Sequence, residues 1–115
     1  MLSWILKRFA MKKSDLELYT PERWYMNIYK TNGYLILSHG FTSKSCAESF
    51  LNGVLESIES SIKSGAKRDP NVNLPIIEEA IGWKVGDETF SDYHEALWCS
   101  WNNNYQKIEG IFKKD

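Results

Sequence analysis

HEALWCSWNNNYQKIEG, residues 94–110, holds two tryptophans and three consecutive asparagines, and its reading decides how the C-terminal third of the chain is built. The asparagines could form a turn between two elements, a break in a helix, or polar surface on a continuous helix. From Tyr93 the apolar positions Leu97, Trp101, Tyr105, Ile108 and Phe112 follow at steps of 4, 4, 4, 3 and 4, so a helical stripe crosses the asparagine run in phase. Three Asn in a helix interior cost roughly 2 kcal/mol relative to Ala. Burial of the apolar residues beyond them returns more than that. The spacing therefore predicts one helix over 92–112, started by Ser91 and kinked at most at 102–104. Asn104 falls on the apolar stripe, where it needs a backbone hydrogen bond or the edge of a polar opening to be tolerated.

Working back along the chain, SKSCAESFLNGVLESIESSIKSG places Ala47, Phe50, Leu51, Val54, Leu55, Ile58 and Ile62 within about 140° of arc. Ser45 and Glu48 have capping-box spacing and Gly65 stands where a helix end needs it. The stripe predicts a helix over 45–63, whose larger apolar residues would contribute roughly 10–18 kcal/mol gross if fully buried. Upstream, WYMNIY and YLILS flank Asn32-Gly33, a strong hairpin signal, and the hairpin is preferred to a helix starting at Thr20. DLELY (15–19) alternates and reads as a short edge strand. PIIEEAIG (75–82) reads as a short helix between Pro75 and Gly82, and WKVGDETF (83–90) as a connector. Residues 1–13, MLSWILKRFAMKK, form a basic amphipathic helix in this reading, with Met11 as an alternative natural start.

These elements predict an α+β fold of one domain over 1–115. A small antiparallel hairpin or three-stranded sheet packs against two long amphipathic helices, with the N-terminal helix added. The chain of 115 residues is large enough to bury a core without staples. Five Trp, six Tyr and five Phe supply large packing groups and potential interface anchors.

Composition narrows the chemistry. A net charge of −1 and a pI near 6.1 disfavour a nucleic-acid binder, which needs a concentrated basic surplus. Two cysteines, Cys46 and Cys99, have no zinc spacing and are expected as reduced thiols, with a cytoplasmic location as the default. Neither a metal nor a cofactor is expected: His39, His94 and the acids lack ligand spacing, and no glycine-rich phosphate loop occurs. His94, beside Trp98 and Trp101, reads as a boundary histidine whose ring nitrogen meets a carbonyl.

The functional expectation is a small non-enzymatic protein-binding module. Its sharpest form is an antagonist of the toxin-immunity or phage-inhibitor kind, and the partner type that fits is a toxin or nuclease. The contact charges expected are Glu56 and Glu59, or the acidic set Asp87, Glu88, Asp92 and Glu95, with the partly exposed Trp98 or Tyr93 as an anchor at the edge of that set. Two alternatives stand beside it. One is a peripheral membrane or RNA-associated accessory protein using Lys7, Arg8, Lys12 and Lys13. The other is a small thiol enzyme built on Cys46 and His39, since a helix N-terminus lowers a thiol pKa. The order of a Trp/Tyr-rich hairpin, GFTSKSCAESFL and an acidic, aromatic C-terminal half looks like small bacterial or phage accessory proteins, a likeness of type carried by no diagnostic motif.

Overall fold

The computed structural model describes residues 12–114. The expected N-terminal helix over 1–13, with Lys7 and Arg8, lies outside the described residues apart from Lys12 and Lys13.

The hairpin forms as its turn chemistry dictates. Strand β1, Trp24–Tyr29, pairs antiparallel with β2, Leu35–Phe41, with Trp24 opposite Phe41 and Ile28 opposite Leu37. Gly33 takes φ +91°, which a β-branched or bulky residue resists, and the Asn32 side chain accepts a hydrogen bond from the Tyr34 N–H at 3.0 Å. Ile36 is the extra residue of a bulge between the Leu35 and Leu37 pairings. A third strand, β3 (Ile76–Glu79), joins the other side of β1, giving the order β2-β1-β3.

Helix α1, Lys44–Lys63, lies against this sheet. Its cap is Ser43, whose hydroxyl accepts from the Cys46 N–H at 3.2 Å, so the capping residue sits two positions before the Ser45 expected. The apolar stripe is in place but only Ala47 is fully buried, and Phe50 and Ile62 remain 43% and 46% exposed. A thin three-stranded sheet is too narrow to cover the whole stripe, so the gain from burial falls to roughly half the fully buried value.

A second sheet overturns the expected single-sheet layout. Strands β4 (Gly82–Val85), β5 (Glu88–Phe90) and β6 (Ile108–Ile111) pair antiparallel in the order β5-β4-β6. The chain is α+β, but its described residues carry two three-stranded sheets. Among the described residues only α1 is a long helix; the second, α2 (Tyr93–Asn102), has 10 residues. Segment 83–90, read as a connector, is a hairpin turning at Gly86. Segment 75–82, read as a helix, holds strand β3 instead: Ile77 stands opposite Met26 on one face of the sheet and Ile76 opposite Asn27 on the other. DLELY is the reverse case, lying mostly within a 3-10 helix, Lys13–Leu18, where Asp15 ties back to the Lys12 N–H at 2.9 Å.

The asparagine run is the turn. Helix α2 stops at Asn102 because the asparagines satisfy its last carbonyls themselves. Asn102 Nδ2 donates to the Trp98 carbonyl at 2.9 Å and Asn103 Nδ2 to that of Cys99 at 2.8 Å. Asn104 then adopts φ 59°, a region Asn tolerates, and its side chain is exposed rather than on a buried stripe. The helix predicted over 92–112 therefore ends ten residues early, and Ile108 and Ile111 are spent on β6. Asp92, not Ser91, is the N-cap, accepting from the His94 N–H at 2.9 Å.

The two sheets are joined by a two-residue link, Ala80–Ile81, between β3 and β4. Ala80 N–H still donates to the Arg23 carbonyl beside β1, and the next residue, Ile81, donates to the Ile111 carbonyl beside β6, both at 2.8 Å. Around this corner lies the core: Leu16, Tyr25, Ala80, Trp83, Val85, Tyr93, Ala96 and Leu97. Tyr25 pins the two layers together. Its ring meets Phe112 edge-on at 5.2 Å, and a Cβ at Gly40 or Gly110 would come within 2.8 Å or 3.1 Å of it. Only hydrogen fits at those two positions.

A candidate protein-binding surface

Helix α2 buries Tyr93, Ala96, Leu97 and Ser100 on one side. At 100° per residue the opposite side presents, in angular order, Trp101, Trp98, Glu95 and Cys99, so aromatic surface grades into acidic surface around the helix. Trp98 and Trp101 are half-buried and pack against the core with one side.

The aromatic end continues onto neighbouring segments. Leu16 anchors the 3-10 helix with 0% exposure, which leaves Leu18 84% exposed. His94 Nε2 lies 2.8 Å from the Tyr19 carbonyl. A carbonyl can only accept, so Nε2 carries the proton and the ring holds the end of the 3-10 helix on α2. The Tyr19 ring then stands edge-on to Trp101, with centroids 5.5 Å apart, and Trp101 faces Tyr105 at 6.2 Å. Tyr19, Trp101 and Tyr105 form a row with Leu18 adjoining.

Tyr105 holds its place at a cost. It takes φ 59° directly after Asn104 does, and its ring is 76% exposed. The left-handed region costs an ordinary L-residue about 1–2 kcal/mol. Little burial offsets that. The segment is nevertheless pinned: the Ser100 hydroxyl donates to the Gln106 carbonyl, and Gln106 N–H donates to the Ser100 carbonyl at 3.2 Å.

The acidic end accounts for most of the residues expected from sequence. Asp92 caps α2, and Glu95 pairs with Lys13 at 2.9 Å, both partners about half exposed. Glu88 lies 3.7 Å from the Cys99 sulfur, and partial burial together with that carboxylate pushes the Cys99 thiol up. Asp87 sits exposed in the β4–β5 turn. Asp92, Glu95, Glu88 and Trp98 thus gather around α2. Glu56 and Glu59 do not join them: they belong to the exposed side of α1, where Glu59 pairs with Lys63 of its own helix at 3.3 Å. Leu18 and Tyr19 were not singled out from sequence, and the spacing puts Trp101 and Tyr105 on a buried helical stripe, not among contact residues. The usable signal was Asn104-Tyr105 following a run of helix-terminating amides, because reading it as a turn puts Tyr105 outside.

Of the two residues suggested for catalysis, Cys46 is a free, exposed thiol and His39 packs among aromatic rings. The His39 ring stacks on Phe50 at 5.3 Å and meets Phe41 at 4.8 Å, and no hydrogen bond joins it to the exposed Cys46 among the described residues. No group of three His, Cys, Asp or Glu side chains suited to a metal occurs among the described residues, and no described helix is long and apolar enough to cross a membrane.

A polar network lines the first sheet on the face away from α1. The Ser38 hydroxyl donates to Asn27 Oδ1 at 2.6 Å, Asn27 Nδ2 donates to Glu78 Oε1 at 3.0 Å, and the Tyr29 hydroxyl donates to the same oxygen at 2.5 Å. Asn27 is fully buried, so this chain satisfies a group that would otherwise destabilise the sheet. Burial and the Glu78 carboxylate hold the Tyr29 hydroxyl at a pKa of about 12, which keeps it a donor. The network borders an open cleft of about 720 Å³ between the hairpin and the C-terminal segment. No protein-family model matches the sequence, and no curated protein or solved structure shows significant similarity to it.

Proposed function

We propose that this chain is a protein-binding module whose contact surface is the row Tyr19–Trp101–Tyr105 with Leu18, bordered by Trp98, Glu95 and Asp92. The observation that carries the reading is Tyr105. A fold that accepts a left-handed tyrosine and leaves its ring three-quarters exposed spends stability without a structural return, and such strain concentrates at functional positions. Tyrosine and tryptophan are also the residues that dominate binding hot spots, and an acidic border favours a partner with a basic surface. Masking a basic, catalytic surface on such a partner is the antagonist form of the same function.

The test compares capture from source lysate by the wild-type chain and by the Leu18→Ser/Tyr105→Gly variant, with thermal unfolding of both. Both side chains are mostly exposed and glycine relieves the positive φ, so the melting temperature should hold or rise. Affinity for the captured partner should fall by about tenfold or more, the loss expected of a hot-spot tyrosine. A partner retained at equal strength by the variant removes this surface from the function.

A further inference from the structure

The outer edge of the first sheet carries a different kind of information. Along β1 the backbone turns alternately to its two neighbours. The Tyr29 carbonyl accepts from Asn73 N–H and the Arg23 carbonyl from Ala80 N–H, so the odd-numbered residues face β3 and the even-numbered ones face β2. The register then fixes β2. Leu37, His39 and Phe41 stand opposite Ile28, Met26 and Trp24 and spend their backbone groups on β1. Ser38 and Gly40, between them, turn theirs outward, and no described residue makes a backbone hydrogen bond to them on that side.

Soluble proteins guard such an edge with lysine, proline, inward-pointing charge or a short strand. Here the sequence from Thr31 to Ser43, TNGYLILSHGFTS, contains no Asp, Glu, Lys, Arg or Pro. Its one irregularity, the bulge at Ile36, leaves Leu37–Phe41 regular. The side chains on the α1 side of this edge are apolar or aromatic and incompletely covered: Leu37 is 47% exposed, and Phe50, which packs on His39 and Phe41, is 43% exposed.

The regular run is five residues long and centred on His39, which makes it self-complementary about a two-fold axis. We propose that two copies of this chain pair antiparallel through β2, with His39 opposite His39 of the second copy. In that register the outward groups of Ser38 meet those of Gly40 in the other copy, which closes four backbone hydrogen bonds. Leu37 lies across from Phe41, an aliphatic–aromatic cross-strand pair. Phe50 of each copy flanks the seam. A strand of opposite charge is not selected by a charge-free edge, whereas a copy of itself fits without repulsion, and two-fold pairing consumes the edge instead of propagating it. The contact covers on the order of 800–1,000 Å² in total, the low end of specific interfaces, so association belongs in the micromolar range. This goes beyond the aromatic row, which belongs to the α2 layer and takes no part in the seam.

Sedimentation of the full chain from about 5 to about 500 µM tests the pairing, a span that brackets a contact of this size. The wild type should pass from monomer to dimer. His39→Lys and His39→Glu place like charges directly across the axis, so each should stay monomeric alone, and an equimolar mixture should recover the dimer as a heterodimer. The mixture separates a broken interface from a broken fold. Residue-resolved hydrogen exchange supplies the second readout: Ser38 and Gly40 amides gain protection with concentration, while Leu37, His39 and Phe41 amides are protected throughout. A wild type that stays monomeric, a dimer that survives His39→Lys, a mixture that fails to associate, or Ser38 and Gly40 amides indifferent to concentration would each overturn the proposal.

Discussion

Replacing Tyr25 by phenylalanine should stabilise the protein, against the usual direction of tyrosine-to-phenylalanine changes in a core. The ring is 4% exposed, clamped between Gly40 and Gly110 and set edge-on to Phe112, and phenylalanine keeps all of those contacts. What disappears is the hydroxyl, a fully buried oxygen with no hydrogen-bond partner among the described residues. The nearby Trp83 indole opposes the upward shift of its pKa, but that N–H is committed to the Glu22 carbonyl at 3.0 Å. Burying an unsatisfied hydroxyl costs about 1–3 kcal/mol, and a residual share in the Trp83 N–H takes the recoverable part toward the lower value. A gain of about 1 kcal/mol corresponds to roughly 3–6 °C in melting temperature for a domain of this size. Thermal and urea unfolding of wild type and Tyr25→Phe measure it, with Gly110→Ala as a control for the clamp. The control should lose about 1–3 kcal/mol, because its new methyl group would sit 2.7 Å from the Phe112 ring. A Tyr25→Phe variant that melts several degrees below wild type would refute the reasoning and reveal a partner for the hydroxyl.

Two further outcomes follow from the same geometry. Asp92→Ala should cost about 0.5–2 kcal/mol by removing the α2 cap, whereas Asp92→Asn should be close to neutral, since asparagine caps as well; equal losses in chemical denaturation would show that charge, not capping, is the role. Stability should also fall as pH rises from about 10 to about 12. Tyr25, Tyr29 and Tyr93 are held at about 12, chiefly by burial, against 10.0 unfolded. The folded state therefore retains protons that the unfolded state has released, and stability present below pH 10 drains away through pH 12. Tyr25→Phe should flatten that decline, and a flat profile in the wild type would contradict the burial of these hydroxyls.

The legible parts of this fold were those written locally. Asn32-Gly33 specifies its own turn, and the stripe from Ala47 to Ile62 repeats often enough to exclude a strand. Strands of three or four residues carry no such period. Ile76–Glu79 has the composition of a helix start and becomes a strand only because β1, some fifty residues earlier in the chain, offers an edge. The stripe from Tyr93 to Phe112 misled for a related reason. Its last three members, Tyr105, Ile108 and Phe112, keep helical spacing by coincidence beyond the end of α2, and the decisive information was the capacity of Asn102 and Asn103 to cap carbonyls at their own helix end. At the candidate surface, Asp92, Glu95 and Trp98 could be picked out because their types are conspicuous. The exposure of Tyr105 depends on two successive positive φ angles, which no spacing rule reports.

The link at Ala80 and Ile81, between β3 on β1 and β4 on β6, should also order the folding reaction. Pairing within the second sheet joins residues at most about thirty apart, whereas β1 and β3 are separated by roughly fifty, and closing the longer loop is the slower event. Once β4 is fixed between its neighbours, the residues just before it are already extended, and β1 finds a template instead of a free coil. Core substitutions around Val85 should then slow refolding in proportion to the stability they remove, while Ile77→Val should act mainly by speeding unfolding. The corner between the sheets thus transmits kinetic order from the compact end of the molecule to the end that carries α1.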